Sequence, residues 1–223
     1  MNPATQFSRY TLTVGSTLVV VALAISAIHP FDRATWWMEV APVFVIFPLL
    51  WLTRNRFTWT SLLYGLMTLH ALVLILGGAY SYARVPLGFW LQDWLDLSRN
   101  PYDKIGHFMQ GLVPTFAARE LMLRLAWVNG RRIAGFLSIC FAMAVSAVYE
   151  LIEWLVAVLL GQGVDEFLGT QGYVWDTQSD MAFALLGAIT AIVLFSRWQD
   201  IQIEQLDRWS RQLFSDRKSK ETS

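Results

Sequence analysis

The chain reads as an all-α, polytopic integral membrane protein with six transmembrane helices and both termini in the cytoplasm. Composition, apolar segment length and the placement of basic residues lead there. Of 223 residues, 55% are hydrophobic and only 15% charged, with 11 tryptophans, whereas a soluble domain carries about a quarter charged residues. Mean hydropathy is positive. A bilayer core of roughly 30 Å is crossed by about 20 apolar residues, and six stretches approach or reach that length.

The first, TLTVGSTLVVVALAISAIH, covers about 11–29. The second, MEVAPVFVIFPLLWLT, covers about 38–53; it is short, and Pro42 and Pro48 predict a kink. The third covers about 60–80 and carries His70 near its middle. The fourth, about 102–127, opens on YDKIGHFMQG. The fifth, about 133–160, contains SAVYELIEWLV, and the sixth covers about 179–198. Residues 1–198 therefore form the transmembrane domain, and 199–223 a cytoplasmic amphipathic and basic tail.

Basic residues fall in alternate connections. Arg9 precedes the first span, Arg54 and Arg56 follow the second, Arg131 and Arg132 follow the fourth, and the tail is rich in Arg and Lys. The other connections mix a few arginines with acids or, in GQGVDEFLGTQGYVWDTQ, contain no Lys or Arg. The positive-inside rule then sets the basic connections in the cytoplasm. In PLGFWLQDWLDL the residues Leu87, Trp90, Leu91, Trp94 and Leu95 recur at helical spacing, which predicts a short amphipathic helix on the outer face. Trp198, Ile201, Leu206, Trp209 and Leu213 predict another in the tail. A net charge of zero offers no field for nucleic acid. The expected partners are the lipid bilayer, a substrate that the sequence does not name, and a second copy of the chain if it forms a homo-oligomer.

Polar residues within the spans carry the functional reading. Asp103 and His107 are four apart, Glu150 and Glu153 three apart, and Asp176 and Asp180 four apart, so each pair shares one face of its helix. Topology brings all three pairs to the outer half of the membrane. Each has a structural explanation as well. Asn100, Pro101 and Asp103 fit the start of a helix, and Thr177 with Asp180 fits a capping box. Glu150 and Glu153 are mid-helix and escape that explanation. Ionisable residues inside a membrane are functional candidates by default. Five carboxylates facing Lys104 and His107 cannot all remain ionised without a partner. Either some are protonated, or a cation sits among them, or they do not converge. Oxygen-rich ligation with one imidazole suits Mg, Mn, Ca or Zn. The candidate metal ligands are Asp103, His107, Glu150, Glu153, Asp176 and Asp180, with Glu150, Glu153 and His107 as candidate catalytic groups. Glu120 and Arg124, four apart, are expected to pair, and Arg119 to snorkel to the interface.

At YDKIGHFMQGLVPTFAARE, YELIEW and WDTQSDM the chain resembles the YjdF-like bacterial inner-membrane proteins, a family of unknown function. The resemblance covers most of the chain and implies a multi-pass protein of the bacterial cell inner membrane, without implying an activity. A weaker likeness to VanZ-like proteins rests on the DKxxHF entry; YELIEW departs from that group by its second glutamate.

Three function classes follow. A divalent metal held by the acids and imidazole would serve an enzyme acting on a lipid-linked or phosphorylated substrate, although no GxSxG, HExxH or phosphatase signature is present. The same carboxylates could titrate in a proton- or cation-coupled transporter, although no internal repeat is visible. A non-catalytic membrane scaffold would use them only for helix packing. The enzyme or metal-site reading ranks first because the clustered charge needs a partner.

Overall fold

The computed structural model describes residues 3–160 and 171–207, and among these it is helical throughout, without strands. Helix α1 spans Pro3–Ser26, α2 Arg33–Thr53 and α3 Ser61–Tyr80. A 3-10 turn, Tyr82–Arg84, leads into the short α4, Pro86–Trp94. Helix α5 covers Tyr102–Arg124 and α6 Arg131–Leu160. Helix α7 begins as Asp176–Thr190, passes a π turn at Ala191–Phe195, and continues helical to Asp207.

Five helices are long and apolar enough to cross a membrane: α1, α2, α3, α6 and α7. The fourth expected span, α5, falls outside that group because its sequence carries Asp103, Lys104, His107, Arg119, Glu120 and Arg124. Its surroundings account for them. Fifteen of its 23 residues are buried, so protein, not lipid, covers these groups. Outer helices show the reverse pattern. Val20, Leu52, Leu159 and Val193 are exposed, as suits side chains that face hydrocarbon.

Helices α3 and α5 form the centre. Helices α1 and α2 pack on α3, and α6 and α7 pack on α5 and on each other. Val19, Trp36, Val40, Val43, Ala71 and Ile75 join the first group. Leu63, Met109, Leu112, Val113, Phe116 and Ala191 join α3, α5 and α7. Glycine sets the α5–α7 distance. A Cβ on Gly111 would collide with the Ala184 carbonyl, and one on Gly187 with that of Phe108. Such small-residue contacts let backbones approach where no hydrophobic drive exists between helices in lipid.

Helix α2 runs unbroken through both Pro42 and Pro48, starting from Asp32, whose Oδ2 accepts from the Thr35 amide at 2.6 Å. Helix α4 appears where the stripe predicted it, with Leu87, Trp90 and Trp94 exposed and the two indoles stacked at 6.3 Å. In the tail, Gln199, Ile203 and Leu206 are buried, whereas Trp198 and Ile201 are exposed; Trp209 and Leu213 lie outside the described residues.

Candidate intramembrane Asp–His–Lys site

Helix α5 begins where the sequence places a start signal. Asn100 Oδ1 accepts from the Tyr102 amide at 3.0 Å, and Asn100 exchanges two hydrogen bonds with the Gln171 side chain, at 3.0 and 3.2 Å. Asp103 does not cap. It lies in the first turn, and four residues on, His107 Nε2 stands 3.4 Å from its Oδ1. Asp180 does not cap either, since α7 has no side-chain cap and Asp180 instead meets the Lys104 ammonium. The capping-box reading of Thr177 and Asp180 is thus replaced by a contact between helices.

Lys104 is the hub. Its Nζ lies 2.9 Å from Asp176 Oδ1 and 3.4 Å from Asp103 Oδ2, besides its contact with Asp180. Asp176 Oδ1 also receives Arg99 Nη1 at 2.7 Å. Asp103, Lys104, His107, Asp176 and Asp180 are all buried. His107 Nδ1 is 3.1 Å from Gln110 Oε1. When Nδ1 donates to Gln110, the Nε2 lone pair is aimed at the carboxylates, Asp103 at 3.4 Å and Asp180 Oδ1 at 3.7 Å. Fixing one ring nitrogen to orient the other is the usual second contact of a metal-ligating histidine. Asp103, His107 and Asp180 each offer a ligand atom, and the three atoms lie within 4.8 Å of one another.

The remaining candidates sit around this trio. Glu150 is buried, and its side chain hydrogen bonds to Thr177; its Oε1, 3.8 Å from His107 Nδ1, has no hydrogen-bond partner among the described residues. Glu153, one turn further along α6, lines a cavity of about 570 Å³ between α2, α3, α5 and α6. Asp103, His107, Gln110 and His70 line it too. Asp176 is turned to Lys104 and Arg99 rather than to His107.

Three groups escaped sequence reasoning. Glu39 of α2 is buried at the same end of the cavity, where Tyr149 Oη donates to its Oε2 at 3.3 Å and the Tyr82 phenol also hydrogen bonds to it. Burial, with the Glu39 charge adding, pushes the Tyr82 phenol well above its ordinary range, so it remains a donor. Arg99 supplies a second cation. Glu39 carried a signal, as a lone acid inside an apolar span; Arg99 and Tyr82 lie in connections and carried none.

Arg119 also departs from expectation. Instead of snorkelling, it is buried, with Nη2 2.7 Å from Asp200 and Nη1 donating to Gln199 at 2.8 Å. The expected Glu120–Arg124 pair forms at 2.9 Å.

A bundle of apolar helices wrapped around one charged helix, with an Asp–His–Lys cluster at that helix's start, defines a polytopic membrane protein with a buried polar site. The chain belongs to the family described as Predicted membrane protein (DUF2238), whose pattern matches residues 11–201 and so takes in the whole cluster. It is 53% identical to the inner membrane protein YjdF of Escherichia coli (strain K12) over 189 residues, 85% of this chain and 89% of the other. No solved structure matches the chain.

Proposed function

We propose that Asp103, His107 and Asp180 bind a divalent cation, and that the chain is a metal-dependent enzyme acting on a lipid-linked or phosphorylated substrate from the outer leaflet of the bacterial inner membrane. The observation that carries this reading is the three ligand atoms within 4.8 Å, with Gln110 orienting the imidazole, at the wall of a large cavity. Three protein ligands with an open position are the arrangement of catalytic zinc sites, and a bound ion makes water nucleophilic near neutral pH. Glu150 and Glu153 are then the acids placed to take its proton. Asp180 meets Lys104 as well, so cation entry shifts the ammonium toward Asp176.

The membrane arrangement proposed with it has six crossings, α5 being the sixth, and both termini cytoplasmic. Helix α5 is 23 residues long, or roughly 35 Å at helical rise, enough to span. Arg9 donates to the Arg54 carbonyl, Arg124 to that of Thr58, and Arg131 pairs with Glu204. The basic connections thus gather at one end of the bundle, and Asp103, Arg99 and Asp176 at the other.

Metal content of the detergent-purified protein, dialysed against a panel of divalent ions, tests the site. A stoichiometric ion retained by the wild type and lost in Asp103→Asn/Asp180→Asn is expected. No ion in either would overturn it. The engagement of Lys104 with three carboxylates favours a second reading, a cation-coupled transporter in which an ion and the ammonium exchange places. Proteoliposome flux that depends on a cation or pH gradient supports that alternative; flux indifferent to both removes it.

A further inference from the structure

The cavity between α2, α3, α5 and α6 has a shape that the cation site does not use. It follows one face of α5 from Asp103 to Met122, which at helical rise is roughly 28 Å. That exceeds the roughly 15 Å taken by one acyl chain in a leaflet, half of a ~30 Å core. Its volume, about 570 Å³, lies within the range of about 300–1,000 Å³ typical of small-molecule sites. Beyond Gln110 the α5 wall is apolar, formed by Val113, Ala117 and Leu121.

One side is open to lipid. Helix α2 leans on α3 and α6 on α5, and α2 and α6 are not themselves a closely packed pair. Ile46 and Leu49 of α2 and Phe141 of α6 line the cavity and are also exposed, at 38%, 50% and 48%. A side chain on both surfaces stands at a mouth, and this mouth faces hydrocarbon. At the polar end α2 and α6 are tied by the Tyr149–Glu39 hydrogen bond, so the slot is closed there.

That closed end has a distinct chemistry. Glu39 and Glu153 both line it, with the phenol rings of Tyr82 and Tyr149. Among the described residues, Glu39 meets hydroxyls and no Lys or Arg forms an ion pair with it or with Glu153. Lys104 and Arg99 are committed to the aspartates. Two carboxylates with phenol hydroxyls beside them supply the acceptors that hold an ammonium group.

We propose that this cavity seats a single-chain amphiphile with an ammonium head group, the ammonium between Glu39 and Glu153 and the acyl chain along α5, entering sideways between α2 and α6. The proposal names a ligand class for the slot and does not depend on metal at Asp103, His107 and Asp180.

Native mass spectrometry of the full chain released from detergent tests it, with lysophosphatidylethanolamine and lysophosphatidylglycerol of equal chain length as probes. The ethanolamine lipid is expected to form adducts at about tenfold lower concentration, the worth of one charge-assisted contact. Glu39→Gln/Glu153→Gln removes that preference and retains chain binding. Ala117→Phe and Val145→Trp, which fill the shaft from α5 and from α6, weaken both lipids alike, with helicity checked by circular dichroism. Equal binding of the two lipids to the wild type overturns the ammonium assignment, and adducts untouched by both filling variants overturn the slot. The preference persists in a chelator; if it vanishes there, metal and not the Glu39 and Glu153 carboxylates sets it, and the ammonium assignment fails.

Discussion

The two ends of α5 carry similar numbers of charged groups and treat them differently. At the Arg119 end each carboxylate meets a guanidinium. Glu120 pairs with Arg124, Asp200 with Arg119 and Arg131, Asp207 with Arg124, and Glu204 with Arg131. Glu120, fully buried, also accepts from the Thr60 amide and hydroxyl at 3.0 and 2.8 Å. At the Asp103 end six carboxylates, those of Glu39, Asp103, Glu150, Glu153, Asp176 and Asp180, surround Lys104, Arg99 and His107, beside a cavity. Both ends desolvate charge, and among the described residues Arg119 Nε, like Glu150 Oε1, is buried without a hydrogen-bond partner, but only the Arg119 end closes a guanidinium onto every carboxylate. A closed network fixes helices against each other. An acid-rich cluster facing a cavity leaves room for a cation or a polar ligand, and the contrast locates function at one end and architecture at the other.

Lys104→Met should break the Asp103 end most severely. It strands Asp103, Asp176 and Asp180 together in a buried site, and removing one partner of a buried ion pair costs about 3–5 kcal/mol. Thermal unfolding in detergent should show the loss. Added divalent cation should restore part of it in this variant, since a cation can stand among the three carboxylates. Unchanged melting with and without cation would mean that the ammonium is not what holds the aspartates.

At the Arg119 end, Glu120→Gln should cost about 2–3 kcal/mol, the scale of hydrogen bonds to a charged group left imperfectly met. Divalent cation should not rescue it. Rescue at both ends would erase the distinction drawn between them. Between the ends, Gly111→Ala should cost about 1–3 kcal/mol by overpacking against the Ala184 carbonyl. Ala184 lies one turn from Asp180, so the same variant should also lower divalent-cation retention; a stability loss with retention intact would show that the cluster tolerates α7 moving away.

The sequence made these pairs visible because helical spacing is local. Asp103 with His107, Glu150 with Glu153, and Glu120 with Arg124 follow from one period. Their convergence on one end followed from topology. What stayed hidden depends on contacts between distant segments. Arg99 reaches Asp176 across 77 positions, and Tyr149 reaches Glu39 across 110. Spacing left Asp180 between two readings, because a short acid after Thr177 fits a cap on its own helix as well as a place in the cluster, and only the approach of α5 shows Lys104 drawing it away. Hydropathy sets α5 apart for a related reason: it measures a helix against lipid, and most of α5 is covered by the other helices.

Glu150→Gln should have the smallest effect on stability, within about 0.5 kcal/mol of wild type, and is the most informative for function. Its Oε1 is buried without a hydrogen-bond partner among the described residues, and His107 Nδ1 is 3.8 Å away, beyond hydrogen-bond reach. The rest of the carboxylate hydrogen bonds to Thr177, and an amide oxygen can accept from that hydroxyl as well, so the amide gives up little structure while it removes a carboxylate that could take a proton. Melting temperature and cellular complementation at matched abundance should separate, the first holding and the second failing. If instead the variant melts as early as Glu120→Gln, the carboxylate is part of the architecture. The Asp103 end would then be a looser version of the Arg119 end rather than a site.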